Sequence, residues 1–392
     1  MSLGGCAQTA RSPASTVSQK QPIRQTPSYA GSVETLSVAP PPAPVLPFMP
    51  VQPVKIKAGI LLPLTGKNAA LGQAMLNASQ QAVFDAAGNN FELQPHDTAA
   101  PGGAEEAARA AAADGAQIII GPLFATDIPS AIPIAQMNGL QMLTLSTDTS
   151  LSQQGVYVMG LAPTQQVDRV VDYAIKHGAH TFAALIPSTP YGAVVGQAFH
   201  NAVESRGGTV IDYEIYNSVS PEALDRAKAL VSMRDRIDAL FLPESGGDLK
   251  AIADQLSAVG FNGTHMHILG TGLWDVPGLG QQNPLLVGGW YAAPDPAMRR
   301  NFVAGYAAAY GQDPPRLATL AYDATALAAV IAKHGARYDE VSLTNPNGFA
   351  GLDGIFRLTA NGEVERALAV NEVLVGGAHV IDPAPVSFVT KK

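Results

Sequence analysis

The stretch "QIIIGPLFATDIPSA", residues 117–131, joins a short apolar run to the start of a helix-like pattern. The run Ile118–Ile120 is typical of a strand that is buried on both faces of a sheet. The hydroxyl and acidic side chains that follow lie where open α/β sheets bind ligands, beyond the carboxyl ends of the strands. Thr126 and Asp127 are also good helix N-caps. The stretch therefore predicts an α/β fold and leaves open whether these side chains cap a helix or bind a ligand.

Strand-like and helix-like segments alternate along most of the chain from Val54 onward. Short apolar strands that alternate with amphipathic helices predict a mostly parallel sheet covered by helices on both faces. The alternation covers too many strands for one sheet of ordinary size, so we expect two doubly wound α/β lobes. Near the C-terminus "GIFRLTANGEV", residues 354–364, alternates about Asn361 and Gly362 and predicts a β-hairpin.

Composition excludes several classes of function. The net charge is −8 and we find no stripe of Lys and Arg, which argues against binding to nucleic acid. The sequence contains no run of 18 apolar residues, the length that would predict a membrane-spanning helix. The segment from Gly59 to Asn68 lacks the spacing of a phosphate-binding loop, and no G-x-S-x-G motif is present. We therefore expect a protein that is not an enzyme and that needs no cofactor and no metal.

The N-terminal segment predicts a lipid anchor. Cys6 is the only cysteine and ends "LGGC", residues 3–6, which resembles a bacterial lipobox. Residues 7–38 are rich in Ser, Thr, Gln and Ala, and seven prolines follow between Pro40 and Pro53. Such a composition favours an extended chain over a packed core. We expect residues 1–53 to be a disordered tether that hangs a globular head from a membrane.

The remaining chain resembles the type I periplasmic binding proteins, the fold of the leucine/isoleucine/valine receptors. The resemblance rests on "AGILLPLTGKNAALGQ", "IPSTPYG", "AVGFNGTHMHILGTGLWD" and the late hairpin, in addition to the opening stretch. It implies two lobes joined by several chain crossings, with a ligand trapped between them. Lobe one is expected to hold residues 54–159 and 285–345, and lobe two residues 160–284 and 346–392.

The resemblance also implies where a small polar ligand would bind. The candidate positions lie on two loops of lobe one and on lobe two: Ala125, Thr126, Ser146, Thr147, Asp148, Tyr191, Glu244, Ser245 and Trp274. The match to branched-chain amino acid receptors is incomplete in three places. Leu71 lies where those receptors have a tryptophan, Gly272 lies near the position of the acid that binds the ligand amine, and Ser245 lies near that of a second tyrosine. Asp148 or Glu244 would have to replace the missing acid.

A narrower resemblance is to the penicillin-binding-protein activator lipoproteins, carried by "TLSTDTSL", residues 144–151, and the segments that follow it. It implies a non-enzymatic protein of the bacterial periplasm, attached to the outer membrane by its lipid and docking on a peptidoglycan synthase. The alternative is the solute receptor of an amino-acid-type ABC transporter, with the permease as its partner.

Lipid anchoring is expected to depend on Cys6. When the gene is expressed behind a native lipoprotein signal, Cys6→Ser should move the protein from the membrane fraction to the soluble fraction. The measurement is a blot of both fractions. If the variant and the parent both sediment with membranes, the lipobox interpretation is wrong.

Overall fold

A computed structural model of the protein describes residues 55–217, 229–230, 232–261, 266–335 and 337–388. The predicted lipobox and tether, residues 1–53, lie outside the described residues. The first sheet has five parallel strands in the order β2-β1-β3-β4-β5. These strands are β1 (Ile56–Leu62), β2 (Phe91–Asp97), β3 (Ile118–Ile120), β4 (Gln141–Thr144) and β5 (Val156–Val158).

Helices cover both faces of the first sheet, as predicted for a doubly wound lobe. The helices that connect its strands are α1 (Ala69–Ala86), α2 (Gly103–Ala113) and α3 (Ile128–Met137). The isoleucine run of β3 shows the arrangement: Ile118 and Ile120 pack in the core that includes Met75 of α1, whereas Ile119 packs with α2 and α3. Successive side chains of a strand point to opposite faces, so a strand buried on both faces needs a continuous apolar run.

The second sheet has seven strands in the order β15-β14-β10-β9-β8-β6-β7. Its parallel strands are β6 (Thr181–Pro187), β7 (Thr209–Tyr216), β8 (Ala239–Phe241), β9 (His267–Gly270) and β10 (Trp290–Ala293). The C-terminal pair β14 (Ala369–Leu374) and β15 (Gly377–Asp382) is antiparallel and adds to β10. Among the described residues, the helices of this lobe are α4 (Pro163–Lys176), α5 (Pro190–Ser205), α6 (Gly246–Ala258) and α7 (Leu279–Gln282).

The late hairpin is confirmed and belongs to a third, three-stranded antiparallel sheet. Its strands are β11 (Phe349–Gly351), β12 (Gly354–Leu358) and β13 (Val364–Arg366). The remaining helices are α8 (Arg300–Tyr310), α9 (Ala318–Lys333) and α10 (Glu340–Leu343). Helix α9 packs against α1, and its apolar side chains complete the core of the first lobe.

Two segments lie in a different lobe from the one predicted. Strand β10 was expected in lobe one but pairs with β9, so it belongs to the second sheet. Strands β12 and β13 were expected in lobe two, but Phe356, Leu358 and Val364 pack in the core of the first lobe. The cause is the same in both cases. The chain changes lobe just after β10 and just after β13, and a local pattern of apolar residues does not record which sheet a strand joins.

The chain crosses between the lobes after β5, after β10 and after β13. Arg366, at the end of β13, connects two of these crossings. Its guanidinium donates to Asp323 Oδ2 on α9 at 2.9 Å and to the carbonyl oxygen of Met159, at the first crossing, at 3.3 Å. Its backbone N–H donates to Gln165 Oε1 on α4 at 3.0 Å. The side chains of Arg366 and Asp323 are 3% and 0% exposed, so this ion pair lies in the core.

Glycine is required where α1 and β3 approach neighbouring backbone. Gly121 has φ +95°, and a Cβ there would lie 2.4 Å from the carbonyl oxygen of Leu61. Gly72, inside α1, would place a Cβ 2.0 Å from the carbonyl oxygen of Pro63. The Gly-Pro that ends β3 is thus explained by close packing between neighbouring strand ends.

The close approach at Gly72 predicts a pair of opposite effects. Gly72→Ala should lower the free energy of unfolding by about 1–3 kcal/mol, because backbone must move to admit the methyl group. Gly247→Ala, in the first turn of α6, should be neutral or stabilising, since its Cβ has nothing within 4 Å and alanine restricts the unfolded chain. Urea unfolding of both variants measures the difference. Equal midpoints for the two would contradict the packing described for α1.

Candidate functional site

A cavity of about 280 Å³ lies between the two lobes. It is at the lower end of the range of ~300–1,000 Å³ typical of small-molecule sites. It opens at the carboxyl ends of β4, β9 and β10, where ligands of open α/β sheets bind. Its lining is Thr147, Leu161, Pro163, Gln166, Tyr191, Gly272, Leu273, Asp275, Ala293, Pro294, Arg316, Leu317 and Leu320. Most of this wall is apolar, and the polar groups are few.

Tyr191 lines the cavity from the first turn of α5. Thr189 caps this helix by accepting from the N–H of Gly192 at 3.0 Å, and Pro190 begins it. The Tyr191 hydroxyl forms a 2.7 Å hydrogen bond with Thr271 Oγ1. Burial raises the pKa of Tyr191 to about 12. The phenol therefore stays neutral at physiological pH and can donate or accept a hydrogen bond in the cleft.

Gln166 of α4 fixes the backbone on which one wall of the cavity is built. Its Oε1 accepts from the N–H of Gly272 at 2.7 Å, and its Nε2 donates to the carbonyl oxygen of Leu161 at 3.1 Å. A Cβ at Gly272 would lie 3.0 Å from that Oε1. Both hydrogen-bonding ends of Gln166 are thus used within the protein, so this amide positions the wall.

Four charged side chains meet at one side of the cavity. Asp275 of the second lobe forms an ion pair with Arg299, with Nη1 3.1 Å from Oδ2, and accepts through Oδ1 from Arg299 Nη2 at 3.3 Å. It also pairs with Arg316 Nε at 3.4 Å. Arg316 also binds Asp353 through both Nη atoms, each at 3.0 Å, and Thr319 donates to the same carboxylate at 2.6 Å. The two guanidinium groups and the two carboxylates balance one another in charge.

Burial and pairing oppose each other in this charge cluster. Burial alone would lower the pKa of Arg316, but the carboxylates of Asp353 and Asp275 outweigh it and raise that pKa. Burial likewise opposes the charge on Asp353, yet Arg316 and Arg366 hold its pKa below the usual range. Arg316 and Asp353 are therefore both charged at neutral pH, and Arg316 connects a first-lobe carboxylate with a second-lobe carboxylate.

The structure brings together some of the predicted site residues of the first lobe. Thr147 lines the cavity. Ser146 is buried, and its Oγ accepts from the N–H of Asp148 at 3.0 Å. Asp148 caps the short 3-10 turn Thr149–Leu151 by accepting from the N–H of Ser150 at 3.1 Å. Asp148 thus has a capping role here, and ligand binding by its carboxylate stays a prediction.

The other predicted residues lie around the cavity without lining it. Ala125 is partly buried and Thr126 is exposed, with Thr126 Oγ1 3.3 Å from Asp127 Oδ1. In the second lobe, Glu244 accepts from the Tyr216 hydroxyl at 2.9 Å and from the N–H of Ser245 at 3.0 Å.

Trp274 lies in the core of the second lobe beneath the cleft. It is buried and donates through Nε1 to the carbonyl oxygen of Glu244 at 3.2 Å. A Cβ at Gly270 would lie 2.2 Å from its indole ring, so glycine is needed there for the ring to pack. Trp274 thus supports the loop that carries Gly272 and Asp275, and its role in this structure is to position that loop.

Sequence reasoning missed three polar residues of the cavity: Gln166, Asp275 and Arg316. Asp275 was within reach, because it is the last residue of the quoted stretch ending in "GTGLWD" and lies three residues after Gly272, the glycine that was compared with the missing acid. Arg316 carried no local signal, since its partners Asp275 and Asp353 lie far from it in sequence. The cleft therefore does have an acid on the second lobe, and that acid is bound to arginines of the protein itself.

The described residues offer little for metal chemistry or membrane insertion. Among them, we find no group of three or more His, Cys, Asp or Glu side chains placed to hold a metal ion. Within the same part of the chain, no helix has the length and apolar composition needed to cross a bilayer.

The two-lobed architecture and the interlobe cleft agree with the sequence comparison. The sequence model of the family described as periplasmic binding protein matches residues 55–372. The chain belongs to this family. The match confirms the resemblance to type I periplasmic binding proteins that the motifs predicted.

A curated relative resembles the chain at low identity. An uncharacterized protein of Rickettsia prowazekii is 24% identical over 216 residues, and the alignment covers 52% of this chain and 56% of that protein. The chain thus spans just over half the length of this relative.

Solved structures show the same fold over most of the chain. A Rhodospirillum rubrum protein, described as a candidate branched-chain amino acid ABC transporter, has a TM-score of 0.75 at 21% identity. The superposition covers 84% of this chain and 100% of the other. Full-length LpoA from Haemophilus influenzae has a TM-score of 0.65 at 20% identity, covering 85% of this chain and 60% of LpoA.

The cleft predicts weak or no binding of branched-chain amino acids. A receptor with micromolar affinity would gain about 4 kcal/mol at ~1 mM ligand, which corresponds to a rise of roughly 8 °C or more in Tm. We expect less than about 2 °C for leucine, isoleucine and valine, because Asp275 is already paired and Asp148 caps a turn. Differential scanning calorimetry measures the shift. A large rise that Tyr191→Ala abolishes would contradict this prediction.

Proposed function

We propose that the protein is a non-enzymatic, lipid-anchored protein of the bacterial periplasm that docks on a peptidoglycan synthase and activates it. The observation that carries the proposal is the charge cluster at the cleft. The acid that could bind a ligand amine, Asp275, is paired with Arg299 and Arg316. A binding fold whose cleft charges pair with each other is better suited to presenting a fixed surface than to capturing amino acids.

A broad groove supports docking. It has a volume of about 910 Å³ and lies between α4, α5 and the hairpin of β12 and β13. Its wall mixes charges of both signs with the exposed apolar side chain of Val194, which is 50% exposed on α5. Because α4 and α5 belong to the second lobe and the hairpin to the first, a partner in this groove would contact both lobes. The resemblance of the sequence to penicillin-binding-protein activator lipoproteins favours a synthase as that partner, and the fold is shared with LpoA.

The second candidate function is solute receptor of an ABC transporter. It is favoured by the cavity itself, which has apolar walls and the neutral hydroxyl of Tyr191 at one side. Such a site fits a small ligand with an apolar body. The similarity to the Rhodospirillum rubrum structure supports this candidate at the level of the fold.

The docking proposal predicts that a substitution in the groove weakens binding to the synthase, whereas one elsewhere on the surface does not. Val194→Glu should weaken binding to a purified peptidoglycan synthase of the same bacterium at least tenfold, since a charge would be forced into the centre of the contact. Biolayer interferometry measures the affinity, and the rate of glycan polymerisation measures activation.

Phe84→Glu is the matched control. Phe84 is an apolar residue of α1 that is 89% exposed and lies on the first lobe, so its replacement should leave synthase binding unchanged. If no synthase binds the parent protein, or if both variants bind as the parent does, docking through this groove is wrong. A solute that raises Tm by linkage would then favour the receptor.

A further inference from the structure

The pairing of Asp275 with Arg316 connects the two lobes across the mouth of the cleft. Asp275 follows β9 and its short 3-10 turn in the second sheet. Arg316 precedes α9 and is bound to Asp353 and Thr319 in the first lobe. Their closest atoms, Asp275 Oδ2 and Arg316 Nε, are 3.4 Å apart, and the two side chains are 11% and 29% exposed. An ion pair with this little solvent contact is screened less than one at the open surface.

Two carboxylates share the nitrogen atoms of Arg316. Asp353 occupies the two Nη atoms, and Asp275 lies at Nε on the cavity side. Leu317 and Leu320 continue the cavity wall beside Arg316, and Leu273 and Pro294 lie in the same lining. A carboxylate at the position of Asp275 would therefore carry any attached body into an apolar space.

We propose that Asp275 serves as an internal anion for Arg316 and that this ion pair holds the cleft closed without a solute. Asp275 then competes for the Arg316 guanidinium with small monocarboxylates that have an apolar body. The competition follows from charge. While Asp275 is present, the cluster is neutral, and an added carboxylate leaves it with an excess negative charge. When Asp275 is neutralised, Arg316 and Arg299 leave the cluster with an excess positive charge that favours an anion.

This inference stands on the geometry of the cleft and not on docking to a synthase. Closure by an internal ion pair does not depend on the concentration of a solute. The two lobes would therefore present a constant surface to a docking partner. A ligand shifts the lobes from open to closed only if it binds the closed state more tightly. The ion pair of Asp275 with Arg316 favours the closed state in the same way, but from within the chain.

The test compares Asp275→Asn with Asp254→Asn in the full chain. Asp254 is also a second-lobe carboxylate with a cationic partner, Lys250 at 2.9 Å, but that ion pair lies within one helix. Spin labels on Gln73→Cys of α1 and Gln197→Cys of α5, in a Cys6→Ser background, report the distance between the lobes. We expect one narrow distance distribution for the parent and Asp254→Asn, and a broader, longer one for Asp275→Asn.

Benzoate, a flat monocarboxylate, is the probe for the binding site. Isothermal titration should give at least tenfold tighter binding to Asp275→Asn than to the parent, and saturating benzoate should restore the narrow distance distribution. Adding Leu317→Trp to Asp275→Asn should abolish benzoate binding, because the indole fills the cavity that Leu317 lines. Asp254→Asn should bind benzoate as the parent does.

The proposal is overturned if Asp275→Asn keeps the distance distribution and benzoate affinity of the parent, or if the parent already binds benzoate as tightly as the variant. Should Asp275→Asn fail to fold, Asp275→Ser, which also removes the charge, takes its place in both measurements with the same expected and contradicting outcomes. None of these outcomes depends on whether a synthase binds.

Discussion

The buried guanidinium of Arg366 determines how the two lobes are joined. It binds Asp323 on α9, the carbonyl oxygen of Met159 and, through its backbone, Gln165 on α4, and its guanidinium lies over the ring of Phe356. Burial raises the pKa of Asp323 to about 6, and Arg366 opposes that shift. Removing one partner of such a pair leaves a charge in the core, at a cost of about 3–5 kcal/mol. The first and third crossings are thus fixed to each other and to the core of the first lobe.

Because Arg366 fixes the chain crossings, the contacts at the cleft determine how the two lobes are oriented relative to each other. The apolar wall of the cavity would favour closure over almost any small ligand, but apolar contact is not directional and selects no single arrangement. The cluster of Asp275, Arg299, Arg316 and Asp353 is directional, because each guanidinium presents its donors in a fixed plane. Apolar burial and charge pairing therefore have separate roles here, the first supplying free energy and the second orientation.

Much of the fold followed from the sequence because its elements are locally encoded. The apolar run Ile118–Ile120 predicted β3, and Asn361–Gly362 marked the turn between β12 and β13. The lobe to which a strand belongs was not encoded in this way. Strands β10 and β12 were each assigned to the wrong lobe, since their short apolar runs would suit either core.

The candidate site was harder to predict for the same reason. Thr147 and Tyr191 were placed at the cavity by a family resemblance, which carries information about three-dimensional position. The sequence does not report that Asp148 caps a turn by accepting from the N–H of Ser150, because this contact depends on the local backbone conformation. Arg316 meets partners that lie 41 residues before it and 37 residues after it, and no pattern within one segment reports such a meeting.

The antiparallel pair β14 and β15 completes the second sheet, although it is made last. Strand β10 ends at Ala293, and its partner β14 begins at Ala369. At ~5–20 residues per second, the ribosome needs roughly 4–15 s to make the intervening chain. Throughout that interval one edge of a buried, apolar strand has no partner, and such an edge readily pairs with another chain. Until β14 emerges, the nascent protein is therefore exposed to aggregation through this edge, and a chaperone that covers the edge of β10 during the interval would protect it.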